Sequence, residues 1–200
     1  MPSLGITGGI ATGKSYFTAR LLQCLPAAHF DADRSAHELL ESDPEVRRKV
    51  LEEFGVQAFA ADGKPNRNFL REVVFRDEER RKALEAILHP AIRKTWTTMA
   101  EKTKSNGDWL FVDIPLLFET GVENAFDHVV VVACSAETQL RRMAELRHLP
   151  APLARKIIST QIDLPTKMNK AHHVIWNDSS PTCLEQQTAH FAELLRHYHA

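Results

Sequence analysis

Cysteine is scarce and scattered in this chain. Cys24, Cys134 and Cys183 are odd in number, far apart and without a C-x-x-C pair. That excludes a disulfide scaffold and a thiolate metal site, and it makes the cytoplasm the expected compartment. No apolar run approaches the roughly 18 residues of a membrane span, and no basic segment followed by a long apolar stretch opens the chain. An excess of one charge is missing too, with 25 basic against 26 acidic residues and a net charge of −1. Neither a nucleic-acid surface nor a membrane surface is expected from such a balance, and a small-molecule partner fits better. Internal repeats and low-complexity tracts are absent. The chain's 200 residues, 44% of them hydrophobic, suffice for one compact domain or one domain with a small inserted lobe. A monomer or weak homo-oligomer is the expected assembly.

What is present begins with Gly8-Gly9-Ile10-Ala11-Thr12-Gly13-Lys14-Ser15, which matches G-x-x-x-x-G-K-[ST] and follows the apolar run Leu4 to Ile6. Glycines let successive N–H groups turn toward phosphate oxygens. Lys14 supplies a cation for the β- and γ-phosphates and Ser15 a hydroxyl for Mg²⁺. The apolar helix from Tyr16 to Leu25 presents its positive end to the same anion. Position 11 is Ala, which leaves less of the loop freely flexible.

The spacing predicts strands at about 3–7, 28–31, 109–113, 129–134 and 173–176, separated by helices. This is the pattern of a parallel α/β sheet covered on both faces. Ala27 to Phe30 reads as a strand ending in Asp31-Ala32-Asp33, whose carboxylates either face the loop's crevice or cap the next helix. From Asp43 to Lys104 the pattern is mostly helical, with a break or kink expected at His89-Pro90 because proline lacks an N–H. Trp109 to Val112 is a buried strand ending at Asp113, which either supports Mg²⁺ or bonds nearby backbone. Ile114 to Glu119 is apolar yet interrupted by Pro115, and reads as the wall of a covered cavity.

Val129 to Cys134 is the cleanest β segment, and Ser135 caps a helix to about Arg147. Arg141, Arg142 and Arg147 either reach phosphates from a lid or suit the helix dipole. A second helix from Leu153 to Gln161 and a third from Leu164 to Lys170 follow the break at Pro150 and Pro152. His172 and His173 point to opposite faces of the last strand and are poor partners for one metal ion. Asn169-Lys170-Ala171-His172 is close to the guanine-reading N-K-x-D element but lacks its aspartate, which argues against a GTPase.

Several ordered elements together resemble the dephospho-coenzyme A kinase family. They are Thr7 to Ser15, Asp31-Ala32-Asp33, Asp62-Gly63 with Arg67 and Leu70, Leu88-His89-Pro90, Pro115-Leu116-Leu117-Phe118-Glu119, Gln161 with Lys167, and Val174-Ile175 with Asn177. The resemblance runs from about residue 3 to 178. It implies a three-layer P-loop nucleoside triphosphate hydrolase/kinase-like α/β fold, with a core of about 1–42, 105–138 and 172–200, an inserted helical acceptor lobe of about 43–104 and a helical lid of about 139–170. It further implies transfer of the ATP γ-phosphoryl group to the ribose 3′-hydroxyl of dephospho-coenzyme A, with Mg²⁺.

On this resemblance Asp33, Lys14 and Arg142 are the expected catalytic residues. Gly9, Ile10, Ala11, Thr12, Gly13, Lys14, Ser15, Tyr16 and Asn177 are expected to hold the nucleotide. Asp33, Arg67, His89, Leu116, Leu117 and Phe118 are expected to meet the acceptor, and Ser15 and Asp113 the metal. The chain departs from the family pattern at Tyr16, Leu146, His172 and Trp176, all placed near the nucleotide or lid.

Overall fold

The computed structural model describes residues 2–104 and 108–198. Five strands, β1 (Ser3–Gly8), β2 (Ala27–Asp31), β3 (Trp109–Asp113), β4 (His128–Ala133) and β5 (His173–Trp176), form one sheet in the order β2-β3-β1-β4-β5. β1 is parallel to β3 and β4, and β4 to β5, with Ile6 in register with both Asp113 and Val130. The chain therefore leaves β1 toward one side of the sheet and later returns to its other side. A ligand site is expected at that switch, beyond the carboxyl end of β1. The expected α/β sheet is the one observed.

Alternation within the strands explains the layers. Leu4 and Ile6 of β1, Phe111 of β3, Val130 and Val132 of β4 and Ile175 of β5 share one face. They pack against α1 (Lys14–Cys24) and α9 (Pro181–His197) through Phe17, Leu21, Phe191 and Leu195, all buried. On the opposite face Gly5 leaves room for the segment after β3. A Cβ there would stand 2.7 Å from Leu117 Cδ1 and 2.9 Å from Phe126 Cδ2. Leu117, fully buried, and Phe118, 4% exposed, are thus spent on packing. Leu116 keeps partial exposure.

The chain divides into two compact units, residues 1–30 with 102–200, and residues 31–101. The second contains α2 (Ala32–Ser42), α3 (Pro44–Phe54), α4 (Arg67–Arg76) and most of α5 (Glu78–Lys104). In it Ala36, Leu39 and Leu40 of α2 join Val46, Val50, Phe54, Leu70 and Leu88 in a core of its own. Arg47 ties this unit together. Its guanidinium donates to the carbonyls of Leu40, Glu41 and Gly63 and lies 4.5 Å from the Phe59 ring centroid.

The break expected at Pro90 does not occur, and α5 continues through it. Proline removes one hydrogen bond, but Ile87, Leu88, Ala91 and Ile92 on both sides of it pack into the same core. Packing on either side outweighs the lost bond. In the first unit, α6 (Ala136–Arg147), α7 (Ala151–Ile158) and α8 (Leu164–Lys170) follow β4. Pro152 sits within the first turn of α7 instead of before it, where a missing N–H goes unnoticed. Among the described residues no helix is long and apolar enough to cross a membrane.

A histidine cluster lies at the amino end of β4 and β5. His173 Nε2 is 3.3 Å from His128 Nδ1, and His172 Nδ1 accepts the Val129 N–H at 2.9 Å. Tyr198 and Phe191 stack against the pair. Among the described residues no three His, Cys, Asp or Glu side chains are grouped to hold a metal ion. Burial, with His128 and His172 nearby, pushes the His173 pKa below its ordinary value. A lowered folded-state pKa means that the unfolded chain binds the extra proton first, so stability is lost as pH falls below about 6.5. The melting temperature is expected to drop between pH 7.5 and 5.5, with a shallower slope in His173→Gln. Identical slopes would remove His173 from the pH response.

Candidate active site

The glycine-rich loop at the carboxyl end of β1 has its peptide groups sorted by direction. Every carbonyl from Gly8 to Gly13 meets a donor. Gly8 O accepts Lys167 Nζ at 3.3 Å, Gly9 O accepts Thr12 Oγ1 at 2.9 Å, and Ile10 O accepts Gln139 Nε2 at 2.8 Å. Ala11 O and Thr12 O share Arg142 Nη1 at 3.3 and 3.2 Å, and Thr12 O also accepts Asn177 Nδ2 at 2.8 Å. Gly13 O begins α1 by accepting the Phe17 N–H. The N–H groups of Ala11, Gly13, Lys14 and Ser15, by contrast, donate to no acceptor among the described residues. With carbonyls anchored on the outside, these donors form a concavity for an anion, at the N-terminus of a helix with no acidic residue in its first turn.

Two backbone positions make the turn possible. Gly13 has φ 95°, and any Cβ there would collide with Asn177 Nδ2. Ala11 takes φ 60° despite its side chain, a conformation that costs an L-residue roughly 1–2 kcal/mol. The anchors on its flanks, Gln139 to Ile10 and Arg142 to its own carbonyl, hold it there.

Lys14 is paired with Asp113, which is buried at 3% exposure and also accepts Thr18 Oγ1 at 3.2 Å. Asp113 therefore sits beside the lysine at the end of β3. Ser15 is exposed, and its hydroxyl makes no hydrogen bond among the described residues. A serine hydroxyl and a carboxylate are hard oxygen donors of the kind Mg²⁺ takes beside phosphates and water. Tyr16 turns its side chain away from the loop, donating its hydroxyl to Glu185 at 2.6 Å. Only its backbone N–H remains for a nucleotide.

Arg142 is not a free cation. Besides the two loop carbonyls it donates to Asn177 O at 2.9 Å, so it braces the loop from behind. These three hydrogen bonds run from Nη1 and Nη2 to backbone oxygens of the loop and of Asn177. Arg141 pairs with Glu145 on its own helix. Arg147 makes no ion pair among the described residues, and Leu146 is 75% exposed.

Four further residues, Gln139, Lys167, Glu119 and Gln161, escape a reading by loop chemistry alone. Gln139, 3% exposed, and Lys167, fully buried, are polar side chains in places that usually take apolar ones. Lys167 Nζ is satisfied by Gly8 O, Pro115 O and the Glu119 carboxylate at 2.8 Å. Glu119 also accepts the Ile162 N–H at 2.9 Å, and Gln161 Oε1 accepts the Ile10 N–H at 3.3 Å. A cavity of about 460 Å³ lies beside them, lined by Gly9, Gln139, Gln161, Leu164, Met168 and Trp176. Cys134 also lines it, and burial pushes its thiol up to about 11, so it stays protonated and unreactive.

The structure thus assembles Gly9 to Ser15, Asp113, Arg142 and Asn177 within one unit. Asp33, Arg67 and His89 belong to the other. Asp31 caps α2 by accepting the Arg34 N–H at 3.0 Å, which leaves Asp33 as an exposed side chain in the first turn. Arg67 is exposed and paired with Glu41, and His89 is half-buried within α5.

Comparison with known proteins points one way. Residues 3–182 match the family model described as dephospho-CoA kinase. A dephospho-CoA kinase of Listeria monocytogenes is 35% identical over 193 residues, covering 96% of each chain. A Campylobacter jejuni dephospho-CoA kinase structure superposes with a TM-score of 0.73 at 28% identity, covering 96% of each chain. A Thermus thermophilus structure superposes with a TM-score of 0.77 at 31% identity, covering 96% of this chain and 97% of the other.

The carbonyl anchoring is open to test. Lysine has one compact ammonium and cannot bridge the carbonyls of Ala11, Thr12 and Asn177 as the planar guanidinium does. Losing one or two charge-assisted bonds of about 1.5–3 kcal/mol each should cost roughly tenfold or more in affinity. Arg142→Lys is therefore expected to raise the Kd for ATP at least tenfold by calorimetry. Unchanged affinity would show that the loop holds its shape without this brace.

Proposed function

Because the chain belongs to the dephospho-CoA kinase family, whose members phosphorylate dephospho-CoA at the expense of ATP, we propose that it transfers the γ-phosphoryl group to the ribose 3′-hydroxyl of its acceptor. The supporting observation is the set of N–H groups of Ala11, Gly13, Lys14 and Ser15, which meet no protein acceptor among the described residues, at the start of the helix that carries Lys14. The 3′-oxygen attacks the γ-phosphorus, the bond to the β–γ bridging oxygen breaks, and ADP leaves with that electron pair. The hydroxyl proton passes to a carboxylate, and Asp33 is the residue assigned to receive it or to orient the hydroxyl.

Phosphoryl transfer asks for positioning and charge neutralisation more than for covalent help. The loop amides hold the phosphate chain, and Lys14 exchanges Asp113 for phosphate oxygens when nucleotide enters. Ser15 and Asp113 would hold Mg²⁺, which when bound neutralises charge on the β- and γ-phosphates. Arg142 acts through the loop, as a positioning residue. Asn177 has the same part from the end of β5. Arg67, His89, Leu116, Leu117 and Phe118 are assigned to the acceptor, and Arg147 is a lid arginine for the nucleotide. The near-neutral chain suits a small-molecule acceptor rather than nucleic acid, and a monomer or weak homo-oligomer is the assembly proposed.

Incubation with Mg·ATP and dephospho-CoA should yield ADP and coenzyme A. Asp33→Asn is expected to lower kcat by roughly 10²- to 10⁴-fold, the usual worth of a positioned acid or base, with the ATP Kd within about threefold of the parent. An unchanged kcat would take Asp33 out of the chemistry.

A further inference from the structure

Gln161 follows α7 and is held at both ends of a closed circuit. From Gly8 O the circuit runs through Lys167 Nζ to the Glu119 carboxylate, then to the Ile162 N–H, and from the neighbouring Gln161 Oε1 back to the Ile10 N–H. The buried ion pair thereby places one amide group against the leading edge of the phosphate loop. Because Ile10 N–H is a donor, the atom facing it must be the amide oxygen. The Gln161 NH₂ is then the other end, and among the described residues it makes no hydrogen bond.

The leading edge lies on the side of the loop where the terminal phosphate belongs. Lys167 joins Gly8 O to Pro115 O, two residues beyond Asp113, and Thr7 Oγ1 donates to the same Pro115 carbonyl at 3.1 Å. Asp113 in turn holds Lys14, the cation of the β- and γ-phosphates. Arg142 and Asn177 bind the trailing carbonyls of Ala11 and Thr12, on the other flank. Gln161 therefore stands beside Ile10, ahead of the N–H groups of Ala11 and Gly13 to Ser15.

We infer that Gln161 contacts the γ-phosphate of ATP through its side-chain NH₂, while Lys167 and Glu119 are positioning residues that aim it. The inference rests on the reading of the loop as the ATP site. Its mark is discrimination between ATP and ADP, since ADP presents no group at that end.

Gln161→Glu keeps an acceptor for the Ile10 N–H but replaces the donor with a negative charge. Calorimetry with a non-hydrolysable Mg·ATP analogue and with Mg·ADP should show the analogue weakened at least tenfold and ADP less than about threefold. Gln161→Met, neutral and similar in length, should weaken the analogue a few-fold and leave ADP unchanged, which covers the case in which the carboxylate disturbs folding. Equal losses for both nucleotides, or no loss for either, would overturn the assignment. Turnover of dephospho-CoA by the parent enzyme is measured separately, so failure of the acceptor reaction and failure of this contact are told apart.

Discussion

The structure around the site depends on one constraint: six consecutive carbonyls, from Gly8 to Gly13, must point outward so that the loop amides point in. A loop cannot do this by its own propensities. Ala11 at φ 60° is unfavourable, and Gly13 pays the entropy of a residue with many alternatives. Side chains from elsewhere meet that demand. Gln139 and Arg142 reach in from α6, Asn177 from the end of β5 and Lys167 from α8. Each interior carbonyl then has a partner, as buried polar backbone requires. The loop is built before nucleotide arrives.

The same demand accounts for a buried charge. Lys167 is fully enclosed, which is tolerable only because three oxygens surround its ammonium. Removing one partner of a buried pair typically costs about 3–5 kcal/mol, whereas replacing both is often mild. A pair of this kind is weak evidence for stability and better evidence for placement. Here it joins the start of the loop, the segment after β3 and the segment between α7 and α8. Lys14 and Asp113 are a second pair with a different standing, since phosphate oxygens are a natural replacement for the carboxylate.

Much of this was legible in the sequence, for reasons that differ by element. The strands stand out because Trp109 to Val112 and Val129 to Val132 are continuous apolar runs, a signature of strands covered on both faces. The loop stands out because its chemistry needs fixed residue types at fixed spacing. Pro90 misled because periodicity and proline rules are local, while the packing of Leu88 and Ile92 is not. Leu117 was legible as apolar, but not its place, because the space it fills is opened by Gly5 on a distant strand. Arg142 was visible as a cation, but not its target, because carbonyls 130 positions away leave no trace in local pattern. Gln139 carried no signal except a polar residue on a helix face that turned out to be buried.

The central claim is that the loop is already shaped for an anion in the nucleotide-free protein. Backbone ¹⁵N relaxation of Ala11, Gly13, Lys14 and Ser15 without nucleotide tests it most directly. Order parameters near those of the β4 strand, around 0.85, are the result this account predicts. Values below about 0.6 that rise only on adding Mg·ATP would contradict it, because the ligand, and not the four anchoring side chains, would then be what forms the loop.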